Sequence, residues 1–396
     1  MWRVPARYAE RLNPTWLEER PLIVGVPKEV KDNEYRVALT PEGARELTHA
    51  GHRVLVQKGA GEGSSLYEQR YERAGADMID TADQVWRQAE MILKVKEPIP
   101  EEYALLQEGQ ILITYLHLAP SREVTEVLLQ REVSGVAYET VQLPDGRLPL
   151  LAPMSEIAGR MAPHVGARLQ EKENGGRGIL LGGVSGVRPG KVLVLGAGIA
   201  GGNAAWIAAG MEAEVIVVDK SLDKLRFIDQ IHKGRIMTLM SDRLTLEQRV
   251  READVVIGAV LIPGAKAPKL VTEEMVASMR PGSVVIDISI DQGGSVETSR
   301  MTTHSDPTYV VHDVVHYAVG NMPGAVPNTS TYALTNVTLP YAISIADAGL
   351  EDALRADPAL AAGLNTFGGA LTNQAVADAH DLESIPVSAA IPGISG

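Results

Sequence analysis

Short apolar runs alternate with longer amphipathic stretches along most of this chain, the pattern of an α/β protein built on parallel sheets. Leu22-Ile23-Val24-Gly25-Val26 opens the series, and Pro41-Glu42-Gly43 starts a helix after it. Residues 53–56, 91–95, 111–115 and 133–138 are predicted as further strands. A turn at Pro144-Asp145-Gly146 and the proline-flanked stretch 149–153 mark a domain crossing. Beyond it, Ile157, Met161, Val165 and Leu169 recur at helical spacing from Ser155 to about Glu171, with Pro163 expected to kink the helix. Strands are again predicted at 191–195, 214–218, 254–257 and 283–287. A long helical stretch runs from Asn328 through Ala348, and helices are expected to finish the chain. The order predicts an extension at 1–21 and a body made of 22–150 with 329–396. A second domain, 151–328, is inserted between the two parts of that body.

One strand carries chemistry with it. Lys191-Val192-Leu193-Val194-Leu195 runs into Gly196-Ala197-Gly198-Ile199-Ala200-Gly201, and the next strand closes on Asp219. A strand, a tight glycine turn, a helix start and a distal acid together form a dinucleotide-binding fingerprint. Gly196 serves the turn, Gly198 lets backbone approach a pyrophosphate, and Gly201 lets the helix lie close on the strand. Phosphate is then held by the free N–H groups and dipole of the helix N-terminus, and Asp219 is positioned for an adenosine ribose.

Composition narrows the partners. A formal net charge of −13 is the opposite of the basic footprint that nucleic acid requires. The absence of cysteine excludes disulfides and thiol chemistry. No run of eighteen apolar residues suggests a membrane span, and residues 1–20 mix arginines with glutamates around no apolar signal core. A cytoplasmic location is the expectation. Three motifs are decoys. Gly59-Ala60-Gly61-Glu62-Gly63 has Ser64 where a third fingerprint glycine belongs and reads as a turn. Gly190-Lys191 lacks the rest of a phosphate loop. His312-Asp313-Val314-Val315-His316 lacks the glutamate and the helix of a zinc motif, so no metal site is expected.

Further blocks bring a family into view. Gly25-Val26-Pro27-Lys28-Glu29, Arg36-Val37-Ala38-Leu39-Thr40-Pro41, Leu93-Lys94-Val95-Lys96-Glu97-Pro98, Thr114-Tyr115-Leu116-His117-Leu118 and Ala137-Tyr138-Glu139-Thr140 resemble the alanine dehydrogenases. So do Leu151-Ala152-Pro153-Met154-Ser155-Glu156, the stretch Ile257 to Gly264, Ile290-Asp291-Gln292-Gly293-Gly294 and Asn321-Met322-Pro323-Gly324-Ala325-Val326-Pro327. The resemblance covers about residues 22–385. It implies two Rossmann-like, doubly wound parallel-sheet domains around a cleft, NAD as cofactor, reversible deamination of L-alanine to pyruvate and ammonia, and a homohexamer. The NAD-binding component of the nicotinamide nucleotide transhydrogenases is similar in the same blocks and is the nearest alternative. A non-catalytic NAD-binding protein is the other.

The same resemblance assigns roles. Arg36 forks the substrate carboxylate, and Lys96 contacts carboxylate and carbonyl oxygen. His117 is the general acid/base, a task suited to an imidazole with an ordinary pKa of about 6.5. Asp291 assists catalysis, orienting water or ammonia and stabilising the imine. Tyr115 and Met154 shape a small pocket for the substrate methyl. Cofactor contacts are implied for Ser155, Gly196, Gly198, Ile199, Ala200, Gly201, Asp219, Lys224, Ser241, Val260, Leu261, Ile288, Asp291, Arg300, Val319, Asn321 and Met322. Lys94 is read as structural or solvated. The chain departs from the family at Ser295 and Ala318, where cysteines are expected, at Gly320, where alanine is expected, and in the extension before Leu22.

Overall fold

The computed structural model describes residues 21–261 and 267–394. The expected extension up to Arg20, and Ile262, Pro263 and Gly264 of one family-like block, lie outside the described residues. Two sheets organise the rest. The first contains β1 (Ile23–Val26), β2 (Arg53–Gln57), β3 (Asp77–Ile79), β4 (Met91–Leu93), β5 (Ile111–Thr114) and β6 (Ser134–Ala137). The second contains β7 (Lys191–Leu195), β8 (Glu214–Asp219), β9 (Ile236–Met240), β10 (Val255–Gly258) and β11 (Val284–Asp287), followed by β12 (Thr308–Val311) and β13 (Val314–Tyr317). Two late strands, β14 (Leu364–Phe367) and β15 (Ala370–Leu371), return to the first sheet.

Both sheets are wound the same way. In the first the order is β15-β14-β6-β5-β4-β1-β2-β3, and in the second β12-β13-β11-β10-β7-β8-β9. The chain steps outward from β1 to β3, returns beside β1 at β4, and then steps outward in the opposite direction. The β7 to β10 passage repeats this. Each reversal opens a crevice at the carboxyl ends of two adjacent parallel strands, the place where doubly wound sheets bind ligands. The switch points are β1/β4 and β7/β10.

Side-chain alternation explains why both faces are covered. Val24, Val26, Met91, Leu93 and Ile113 enter one core, while Ile92 and Leu112 enter the core on the opposite face of the same sheet. Val192 and Val194 likewise face away from Leu193 and Leu195. Each such fully buried side chain contributes about 1.5–3 kcal/mol relative to exposure. The helix Ala152–Leu169 lies against both sheets' cores, with Met154 and Ile157 in the first and Ala158, Ala162 and Leu169 in the second. It runs unbroken through Pro163.

The structure refines two expectations. The stretch after Ala348 is not helical throughout: β14 pairs antiparallel with β6, and β15 antiparallel with β14, before the helices Gln374–His380 and Val387–Ala390 finish the chain as expected. These strands have four and two residues, too short for a hydrophobic period. Their signal was Gly368-Gly369, a two-residue hairpin loop with both φ angles positive, 53° and 79°. The sheets are also not wholly parallel, because β12 pairs antiparallel with β13. The tight turn there is His312-Asp313, again with positive φ at both positions. It sends the two histidines of that segment to different partners: His312 meets Glu273, and His316 meets Thr298.

Candidate active site

The β1/β4 switch point gathers cations and acids. The segment after β1 carries Glu29, Lys31, Glu34 and Arg36, and the segment after β4 carries Lys94, Lys96 and Glu97. Arg36 is 2% exposed. Its Nε donates to Glu34 Oε1 at 2.6 Å and its Nη2 to Glu34 Oε2, so one edge of the guanidinium is already forked to a carboxylate. Nη2 also donates to Asn321 Oδ1 at 2.6 Å, and Nη1 to Met154 Sδ at 3.1 Å. The Nη1 side, with a proton beyond the one on the thioether, therefore keeps donor capacity that the Glu34 edge has used. Burial by itself would raise the Glu34 carboxyl; the charge and hydrogen bonds of Arg36 override it and hold Glu34 ionised below its ordinary range.

Lys96 is buried, and its ammonium makes no hydrogen bond or ion pair among the described residues. Burial first, and then the charge of Arg36, lower its proton affinity, while Glu97 and Asp291 act in the opposite sense. A buried cation without a partner is costly. Here it is poised for an anion. Lys94, two residues earlier, is structural: it is buried between Glu29 at 3.2 Å and Glu102 at 2.7 Å. Glu29 in turn accepts from the Val95 amide at 2.6 Å, which anchors the strand end that carries Lys96.

His117 follows β5 in a left-handed conformation, φ 47°. Its Nδ1 lies 3.1 Å from Glu97 Oε2, and its Nε2 makes no hydrogen bond among the described residues. Tyr115 is buried against Tyr138, ring centroids 5.1 Å apart and nearly perpendicular, and its hydroxyl donates to the Leu150 carbonyl at 2.7 Å. Burial pushes its ionisation well above the ordinary range, so it is a neutral wall. Met154, 7% exposed, completes that wall beside Arg36.

The second sheet supplies the opposite side. Asn321 adopts φ 65° and bridges Arg36 and Glu34, donating to Glu34 Oε2 at 2.9 Å. Asp291 is exposed in the 3₁₀ turn after β11, within electrostatic reach of Lys96. A Cβ added to Gly320 would lie 3.2 Å from Asp291 Oδ1, so the glycine leaves this carboxylate room that alanine would take.

At the β7/β10 switch point the glycine turn takes the shape its residues allow. Gly196 has φ 100°, and a Cβ on Gly201 would stand 1.8 Å from the Gly196 carbonyl oxygen. Gly198 caps the helix Ile199–Gly210, and a Cβ there would meet nothing within 4 Å. That is open space before a helix N-terminus, a cradle that fits a pyrophosphate. Asp219 accepts from the Ala197 and Ser221 amides, each at 2.7 Å, and Ser241 donates to the Asp219 carbonyl. Val260 borders Gly196, and its amide donates to Ser289.

Not every expected residue joins these two clusters. Arg300 lies over the Tyr309 ring, 4.1 Å from its centroid, at an exposed edge. Lys224 is exposed on the helix Leu222–His232, Leu261 is 45% exposed, Ile288 and Ser155 are half-buried, and Val319 and Met322 are core. Residues the sequence reading missed are all acids: Glu34, Glu97 and Glu139. A signal existed for two. Glu34 stands two residues from Arg36, and Glu97 is adjacent to Lys96. Among the described residues, no group of three or more metal-ligating side chains comes together and no helix is long and apolar enough to cross a membrane.

Known proteins resemble this chain over most of its length. Residues 25–158 match the family model "Alanine dehydrogenase/PNT, N-terminal domain", and residues 162–374 match "Alanine dehydrogenase/PNT, C-terminal domain". An alanine dehydrogenase of Methanococcus maripaludis is 55% identical over 93% of this chain and 100% of its own length. One from Mycobacterium tuberculosis is 57% identical over 89% of this chain and 95% of its own. A solved L-alanine dehydrogenase superposes with a TM-score of 0.88 at 49% identity, over 91% of this chain and 99% of that one. A solved transhydrogenase from Sinorhizobium meliloti gives 0.76 at 26% identity, over 88% and 99%.

Proposed function

The chain belongs to the alanine dehydrogenase/PNT family, and we propose that it catalyses the reversible oxidative deamination of L-alanine to pyruvate and ammonia with NAD. The observation that carries the reading is the convergence of Arg36, Lys96 and His117 at one switch point, with Asp291 and Asn321 reaching it from the other sheet. Conversion of a 2-amino acid to a 2-oxo acid needs an anion clamp and a proton carrier side by side, and these residues supply both. The transhydrogenase reading has no use for such a clamp, and the solved transhydrogenase is the more distant of the two structures in identity.

Gly196, Gly198 and Gly201 with the following helix would hold the dinucleotide phosphates, and Asp219 the adenosine ribose. When bound, NAD supplies the acceptor for the two electrons of the oxidation. The Arg36 Nη1 edge and the Lys96 ammonium hold the substrate carboxylate, and Lys96 polarises the oxygen of the 2-oxo group. His117 moves the proton at Nε2. Tyr115 and Met154 confine the side chain to about a methyl group. Asp291 faces the reacting carbon's nitrogen or oxygen.

The division into a substrate-side body, 22–150 with 329–396, and a nucleotide-side body, 151–328, is part of this proposal. It is supported by the separate cores of the two sheets. A cytoplasmic homohexamer follows from the family resemblance, and light scattering tests the assembly. The reaction is tested by NADH absorbance on mixing the protein with L-alanine and NAD. NADH should form with L-alanine, far less with L-leucine or L-glutamate, and far less when NADP replaces NAD. Failure to form NADH from L-alanine overturns the reading.

A further inference from the structure

His117 is gripped at two places by two different carboxylates. The Glu139 carboxylate accepts from the His117 amide at 2.6 Å and from the Leu116 amide at 3.3 Å. That grip secures a left-handed backbone which costs a side-chain-bearing residue about 1–2 kcal/mol. The ring is held separately. Glu97 Oε2 stands 3.1 Å from Nδ1, while Glu97 Oε1 is paired with Lys31. Glu97 is 14% exposed and the imidazole 33%. Burial would raise the Glu97 carboxyl, but the hydrogen bond and charge of His117, with Lys96 and Lys31, hold it far below the usual carboxylate range. Glu97 is therefore an anion at any working pH and can only accept at Nδ1.

We propose that Glu97 is a positioning residue for His117, holding the imidazole as its Nδ1–H tautomer so that Nε2 is the atom that takes and returns the proton. Deamination requires the neutral ring: Nε2 accepts one proton from the substrate side and the resulting imidazolium faces the Glu97 carboxylate. Reductive amination starts from that imidazolium and gives the same proton back. Glu97 stays ionised throughout. The charges around the ring are Glu97 beside Nδ1, Lys31 and Lys96 behind Glu97, and Glu139 at the backbone; neutral Tyr115 lies with its ring centroid 5.9 Å away. Asp291 acts across the cleft on Lys96.

This inference rests on the proposed reaction only for the direction of proton flow, and the two are tested separately. The rate at which diethyl pyrocarbonate modifies His117, followed by peptide mass spectrometry against pH, reports where the ring becomes neutral without any turnover. Glu97→Gln removes the negative charge beside Nδ1 and should move that midpoint to lower pH, since a neighbouring opposite charge favours the ionised form. Lys31→Met removes a cation facing Glu97 and should move it to higher pH. A side-chain amide can also donate to Nδ1 and impose the wrong tautomer, so kcat of Glu97→Gln should fall about 10²–10⁴-fold. NADH affinity, read by fluorescence, should stay near that of the unaltered protein in both variants. Opposite midpoint shifts with intact NADH binding support the assignment. Midpoints that stay put, or that move the same way in both variants, overturn it, as does a Glu97→Gln protein of undiminished turnover. Absence of activity in the unaltered protein would defeat the proposed reaction and leave the modification midpoints as the judge of Glu97.

Discussion

Removing Glu34 isolates one physical effect. The side chain accepts from the Arg36 amide, Nε and Nη2 and from Asn321 Nδ2, and both members of the ion pair are almost wholly buried. Glu34→Ala leaves the Arg36 guanidinium in place with Asn321 and a thioether as its partners. Breaking a buried pair by deleting one partner costs about 3–5 kcal/mol, because the remaining charge is uncompensated. Four bonds to one carboxylate put this case toward the upper part of that range. Deleting both groups removes the uncompensated charge, so Glu34→Ala/Arg36→Ala should be less destabilised than the sum of the single variants by about 2–3 kcal/mol. Urea denaturation of the four proteins, followed by circular dichroism, measures the cycle. Pyruvate reduction by Glu34→Ala should weaken mainly through a raised KM, because an unanchored guanidinium no longer presents Nη1. If Glu34→Ala lost under about 1 kcal/mol, or the double variant lost the full sum, the pair would not be the buried, coupled unit described.

Three other outcomes are expected. His117→Ala should lower kcat by about 10²–10⁴-fold while NADH fluorescence titrations stay near those of the unaltered protein; near-normal turnover would remove His117 from the chemistry. Gly201→Ala places a methyl 1.8 Å from the Gly196 carbonyl oxygen, so the glycine turn must shift and NADH affinity should fall by at least tenfold, with pyruvate-site residues untouched. Acid should weaken the site. Glu34 and Glu97 have proton affinities lowered by folding, so the stability they confer is complete above the unfolded carboxylate value of about 4.3 and is lost as pH falls below it. Urea midpoints measured against pH should therefore drop below about pH 4, and less so in Glu34→Gln.

Much of this was legible from local pattern. The strands β1, β2, β5, β7, β8, β10 and β11 are buried on both faces, so they appear as near-continuous apolar runs, and the glycine turn is a local object whose residues all lie within six positions. Residue types with one obvious use, such as Arg36, Lys96 and His117, stood out once the family-like blocks were recognised. Tertiary structure alone decided the rest, since it depends on what distant segments bring to one crevice. Nothing near Arg36 in the sequence announces that Asn321 will bridge it to Glu34, 285 and 287 residues away. The left-handed turn at His117 depends on Glu139 from the 3₁₀ turn after the neighbouring strand β6, 22 residues on. β14 and β15 escaped because two to four residues carry no period, and they exist only because β6 offers an unpaired edge. The sequence by itself determined which groups can carry charge and protons. The fold determined which carboxylate neutralises which cation, because in a buried site that choice is set by distance and exclusion of water rather than by residue type.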